Sequence, residues 1–312
     1  MIQSINSSAN LFLNGLSKLQ SVIDSDVARV SSGFRISQPS DAPDQISPLL
    51  QLQASLSHNQ AVAGNLNRVQ AELTGADQAV SSALQLLDEA RSVASQGVSS
   101  TSSAATRNDL AQQVQALQQS MVGLANTQVA GRYVFSGDQD SAQPYALDLN
   151  QASTVPQNGV DRLLASPTAT RQIEVADRSS LNPDQTAQNL FDHRNADDSL
   201  ASDNVFAALN SLRTALTNND QAGIAAAQTS LQTAQTYLNA KEIFYGTTQD
   251  QITAATNQIS TENTGLQTQI SAIRDTAVAA TAIELTSAET NSQAALSAEG
   301  KRPNSTLFDF LA

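Results

Sequence analysis

Apolar residues recur along this chain at steps of three and four. The first stripe runs Ile5, Ala9, Phe12, Leu16, Leu19, Ile23 and Val30, with Asp26 as its one polar interruption. That spacing is a heptad seam, the pattern of helices that supercoil around partners. It ends at Ser32-Gly33 and a turn-rich segment, Ser37 to Pro43. A second helix is expected to begin between Asp41 and Pro48, with Ser47 as N-cap and Pro48 at the first helical position as one good reading. Its stripe includes Leu52, Leu56, Asn59, Ala63, Leu66, Gln70, Leu73, Val80, Leu87 and Ala94, and Gly97 is its expected stop. After a hydroxyl-rich loop at 99–103, a third helix carries Leu110, Val114, Leu117, Met121 and Leu124. So short a connection makes it antiparallel to the second.

Residues 131–195 break the helical rhythm. Gly131 to Asp138 reads as a short strand and a turn, and weak alternation returns at Arg171–Val175. Helices resume with Asp203 as a candidate cap over Val205, Leu209, Leu212 and Leu216. Then Ile224, Leu231, Leu238, Tyr245, Ile252, Ile259, Leu266, Ile273 and Ala280 recur at intervals of seven. A strict seven-residue repeat imposes a left-handed supercoil. A single helix from Asp220 to about Leu296 would be roughly 115 Å long, with Gly246 and Gly265 as expected bends.

These patterns predict a mainly α fold: an elongated antiparallel helical bundle or coiled-coil rod with a small β-rich insertion. The expected divisions are an N-terminal polymerisation helix (1–40), the N-terminal half of the helical rod (41–130), a β-rich surface insertion (131–200), the C-terminal half of the rod (201–284) and a C-terminal polymerisation helix (285–312). A single terminal helix with a two-position seam buries little apolar surface alone. Such a segment is expected to be poorly ordered in a monomer and to order against copies of itself. The expected self-assembly residues are Ile5, Phe12, Leu16, Leu19, Ile23 and Val30 at one end. Leu296, Leu307, Phe308, Phe310 and Leu311 are their counterparts at the other.

Composition supports this picture and removes others. Aromatic residues are 4% of the chain and Trp is absent, which suits thin bundles more than a thick core. The net charge is −13 without a clustered basic face, so a nucleic-acid partner is not expected. No Cys is present, excluding disulfides and thiolate metal sites. No apolar run reaches the length of a membrane span, and the N-terminus lacks the features of a cleaved signal. Nucleotide-binding, hydrolase and zinc-protease motifs are absent, and only His58 and His193 could serve as imidazole ligands. Each is expected to face solvent. Asp138-Gln139-Asp140 begins like a calcium loop but lacks the later ligands, so a turn is the better reading. No enzyme activity and no cofactor are expected.

Several short motifs carry a resemblance. Val30-Ser31-Ser32-Gly33-Phe34-Arg35-Ile36 is similar to an N-terminal signature of the bacterial flagellin superfamily. Pro39-Ser40-Asp41-Ala42-Pro43 resembles a segment of the hook-associated junction proteins (type 3) within that superfamily. So does the run from Asn126 through Gln128, Gly131, Arg132, Tyr133 and Phe135 to Gly137, and so does the end, Ser305 to Leu311.

The resemblance implies a structural subunit that joins hook to filament through its terminal helices. It would form a homo-oligomeric ring and contact another hook-associated protein and flagellin. It would be exported unfolded through the flagellar type III pathway, without a cleaved signal, to an extracellular place in the flagellum, with a dedicated chaperone for the C-terminal segment. A filament-forming flagellin is the alternative, and a coiled-coil signalling rod a more distant one.

Overall fold

In the computed structural model, residues 2–149, 157–165, 167–175 and 179–301 are described, with side chains from Ala9 onward. Seven α-helices and three two-stranded antiparallel sheets make up these residues. The chain falls into two compact units. One holds the residues up to Asn59 and from Glu262 onward, and the other holds Gln60–Thr261.

In the first unit, α1 (Ile2–Ser32) packs on α7 (Val278–Gly300). Gly33 ends α1 by taking a left-handed φ of 76°, a conformation that costs glycine nothing. Its amide closes the last turn on the Arg29 carbonyl. An antiparallel bridge then joins Phe34 to Asp275. Because α1 runs into this bridge and α7 runs out of it, the two helices lie antiparallel. A small core of Ile36, Ala42, Leu49 and Ile270 follows, packed by Ile46, Leu52, Leu56 and Ile273.

The second unit is built on the middle of α2 (Pro43–Val98) and the first part of α6 (Gln221–Arg274), with α3 (Ala104–Ala125) and α5 (Val205–Thr217). Cross-bonds fix the antiparallel register of α2 and α6: Gln221 with the Val98 carbonyl, Arg91 with Gln235, and Gln249 with the Leu73 carbonyl. The seven-residue repeat holds here, for Ile224, Leu231, Leu238, Tyr245, Ile252 and Ile259 are all buried. Between α3 and α5 the chain forms β1 (Gln128–Val129) with β2 (Arg132–Tyr133), β3 (Tyr145–Leu147) with β4 (Val160–Arg162), and β5 (Ile173–Glu174) with β6 (Ser180–Leu181). A one-turn helix, α4 (Ala187–Leu190), follows. Four of the twelve aromatic residues gather in this region. Phe135 meets Phe191 edge-on at 5.6 Å, and Phe206 lies near both Phe191 and Tyr145.

Several expectations need correction. The helix from Asp220 does not run on to Leu296, because α6 ends at Arg274 and α7 starts at Val278. The backbone at this break is spent on the α1–α2 loop. The Arg274 carbonyl accepts from the amides of Arg35 and Ile36, and the Thr276 amide donates to Gly33. Beyond Ile259 the buried position shifts to Ile270, Leu266 is half-buried, and Ala280 is exposed.

Helix α2 starts at Pro43, with Pro48 inside its early turns. Proline at the first position forfeits only an amide without a helical partner. Within α2, Val62 and Val69 are buried, whereas the expected Ala63 and Gln70 lie half-buried beside them. Asn204, not Asp203, caps α5 by accepting from the Ala207 amide. Asp203 instead bonds His193 Nδ1 at 2.6 Å, and that ring stacks on Tyr237 at 4.6 Å, so His193 does not simply face solvent.

Candidate assembly surface

Helix α1 turns its seam toward α7. Phe12, Leu16, Leu19, Ile23 and Val30 are half-buried and Asp26 is 2% exposed. The facing stripe on α7 is made of small or polar residues: Thr281 and Ala288 are buried, while Leu285, Ser292 and Ala295 are half-buried. Small residues let the backbones approach, but they cover little of a Phe and Leu stripe. Apolar surface therefore remains on both flanks of α1. At about 100° per residue, Leu11 and Val22 fall on one side of the seam, and Leu13 and Val27 on the other. Leu11 is 73% exposed and Leu13 58%. On α7, Val278, Ile283 and Leu296 are also exposed. Ile5 lies in α1 within the stretch whose side chains are not described. Leu307, Phe308, Phe310 and Leu311 lie outside the described residues.

The motif residues next to this surface form a clasp. The Arg35 guanidinium donates to the Ile273 carbonyl at 2.6 Å and to Gln45 Oε1 at 2.7 Å. The first of these bonds satisfies a carbonyl at the end of α6, where helical partners run out. Arg274 lies over the Phe34 ring at 4.1 Å, a cation–π contact. The Ser32 hydroxyl accepts from the Phe34 amide. Pro39 opens a single 3-10 turn that ends at Asp41. The Asp41 carboxylate accepts from the Gln38 and Ser37 amides and from the Ser37 hydroxyl. Those donors, the backbone amides first, hold its carboxyl below the ordinary range. Ile36 and Ala42 fill the core beneath. Nothing in linear spacing pairs residue 35 with residue 273, so this partnership was invisible in the sequence.

The second motif builds a hairpin in the other unit. Ala130 and Gly131 both take positive φ, 50° and 81°, as a tight primed hairpin turn requires. They join Gln128–Val129 to Arg132–Tyr133. The Asn126 side chain pairs with Tyr145 on both edges, donating to its carbonyl at 2.8 Å and accepting from its amide at 3.2 Å. Phe135 is fully buried. Gly137 has φ +60°, and a Cβ there would lie 2.0 Å from the Thr168 carbonyl oxygen. Asp138 accepts from the hydroxyls of Thr168 and Thr170 and from the Thr170 amide, which makes it the brace of a turn. Among the described residues, no cluster of His, Cys, Asp or Glu is placed to hold a metal ion, and no helix is long and apolar enough to cross a membrane.

Residues 4–140 match the family model described as the bacterial flagellin N-terminal helical region. Over that stretch the chain is similar to the N-terminal helical region of flagellins. The match takes in α1, the clasp loop, all of α2 and α3, and the hairpin. Solved structures extend the likeness in fold. A protein of Vibrio parahaemolyticus provisionally named as a flagellar hook-associated protein is similar at 16% identity and a TM-score of 0.63. The alignment covers 75% of this chain and 99% of that one. FlgL of Xanthomonas campestris is similar at 16% identity and a TM-score of 0.56, over 71% and 99% of the two chains. FlgL of Bacillus cereus is similar at 16% identity and a TM-score of 0.54, over 72% and 100%. No curated protein sequence matches significantly.

Proposed function

We propose that this protein is a structural subunit of the bacterial flagellum, placed where hook meets filament. One observation carries the reading. A flagellin-type terminal helix bears a seam that its own partner helix leaves partly uncovered, on a fold shared with FlgL proteins. Residues 1–40 and 285–312 act as the polymerisation segments, with residues 41–130 and 201–284 as the helical body and 131–200 as a surface insertion. Copies associate through α1 and α7 into a ring that meets another hook-associated protein on one side and flagellin on the other. The subunit reaches its extracellular place by flagellar export, with a chaperone holding the C-terminal segment. It performs no catalysis.

A filament flagellin is the second reading, because the matched family model is that of flagellin. The two differ in how assembly ends. A heterologous contact that repeats without closing grows an open filament, so a junction subunit must present two axial faces that do not match. Purified protein seeded on its own fragments is expected to give no long filaments. A strain lacking it is expected to keep its hooks and shed flagellin into the medium. Electron micrographs of long homopolymers made from this protein alone would overturn the junction reading and leave flagellin.

A further inference from the structure

A cluster of charged side chains ties the β-rich insertion to the helices of the second unit. Arg171 donates to Asp184 through Nε at 2.8 Å and Nη2 at 2.6 Å, and the same Nη2 reaches Glu72 of α2 at 2.6 Å. Arg132 of the hairpin lies 3.8 Å from Glu72 and bonds Asp140. Below these groups is a cavity of about 20 Å³, walled by Leu73, Ala76, Tyr133, Pro183, Asp184 and Tyr245, among others.

Tyr245 belongs to the seven-residue repeat, where an apolar residue is the rule. It is 1% exposed, and its hydroxyl has no hydrogen-bond partner among the described residues. Burial first, and then the negative charges of Asp184 and Asp77, hold its phenol protonated far above the ordinary range. It is therefore a donor that feels two nearby carboxylates and hydrogen-bonds to neither. The cavity lining holds three carboxylates, Glu72, Asp140 and Asp184, against two guanidinium groups, Arg132 and Arg171, so negative charge is in excess and carboxylate oxygens are at hand to accept from a water. A buried water needs roughly 10–15 Å³ of room and two to four polar partners. The cavity has space for one and walls that can bond it.

We propose that this cavity is a built site for one internal water, which accepts from the Tyr245 hydroxyl and donates to the Asp184 carboxylate. The water completes a latch running from α6 through Asp184 and Arg171 to Glu72 on α2. It explains why a phenol stands where the repeat asks for Leu or Ile.

The test uses the full chain. A high-resolution crystal structure is expected to show one ordered oxygen within hydrogen-bond distance of both Tyr245 Oη and Asp184. A phenol turned to bond Asp184 directly would overturn the proposal, and so would anomalous density at the site after rubidium replaces sodium, since that would mark a cation. Tyr245→Phe removes only the hydroxyl and keeps the ring. Hydrogen exchange at the amides of Val175 and Asp138, both inside the latched region, is expected to speed up roughly tenfold in this variant. Unchanged or slower exchange would mean the hydroxyl sits dry, and would overturn the water site.

Discussion

At the scale of single residues, the motifs that marked this chain as flagellin-like do backbone work. Gly137 is the sharpest case, since its left-handed φ and the 2.0 Å approach to the Thr168 carbonyl both exclude a side chain. Gly137→Ala should cost about 2 kcal/mol or more, from strain plus displaced backbone. In a unit of this size calorimetry should read that as a melting point lower by about 5 °C or more. Asp41 makes a different prediction. Its folded carboxyl titrates below the ordinary 3.8 because the Gln38 and Ser37 amides bond the charged form. The contribution is fully present above that ordinary value and is lost as pH falls through the lowered one. The Ser37 and Gln38 amide resonances should therefore titrate together below about pH 4, and Asp41→Asn should remove that step. An unchanged acid limb in the variant would show that the cap is not what titrates.

At the scale of elements, how well the sequence could be read depended on how many faces a helix buries. The second half of the chain is legible in its heptads because Ile224 to Ile259 are buried along one stripe at intervals of seven. Helix α2 buries more than one side, so Val62 and Val69 joined a core for which a single stripe named Ala63 and Gln70. The break at 275–277 carries no Pro or Gly. It is imposed by a loop more than 230 positions earlier in the chain, and periodicity has no view of that. Two strands fell where the sequence pointed, β2 within Gly131–Asp138 and β5 within Arg171–Val175, whereas β3, β4 and β6 were legible only as part of a region, because two- and three-residue strands show little usable alternation.

The terminal helices were expected to order against copies of themselves, and α7 supplies a partner within the chain for the α1 seam but leaves its flanks bare. That division can be tested with two substitutions on α1. Leu19→Asp puts a carboxylate into the half-buried seam and should weaken α1–α7 pairing by about 2 kcal/mol. Protease should then trim both helices while the melting of the second unit holds. Leu11→Asp alters a flank that is already exposed. It should leave the monomer's protease pattern unchanged and yet abolish incorporation into flagella. Normal incorporation of that variant would remove the flank from the assembly surface.

At the scale of the whole molecule, the class of fold was legible in full: mainly helical, with a small β-rich insertion between two helical halves. The insertion's interior was not. Its aromatic cluster draws Phe135, Tyr145, Phe191 and Phe206 from positions up to 71 residues apart, and its charges pair across similar spans. A chain with 4% aromatic residues gives no hint that they converge.

The pairing of α1 with α7 also sets an order in time. Those helices are joined through almost the entire length of the polypeptide, whereas α3 and α5 close a far shorter loop. The entropy lost in closing a loop grows with its length, and contacts between distant segments slow folding. The second unit should consequently fold first, and the closing of α1 on α7 should be the last event, whichever end of the chain is released ahead of the other. Refolding followed at two sites, with a fluorescent pair across α3–α5 and another across α1–α7, should give two separate rates, the terminal pair being the slower. Until that last step the stripe of Phe12, Leu16, Leu19 and Ile23 stays open to any partner that arrives sooner, so a neighbouring copy competes with the chain's own far end.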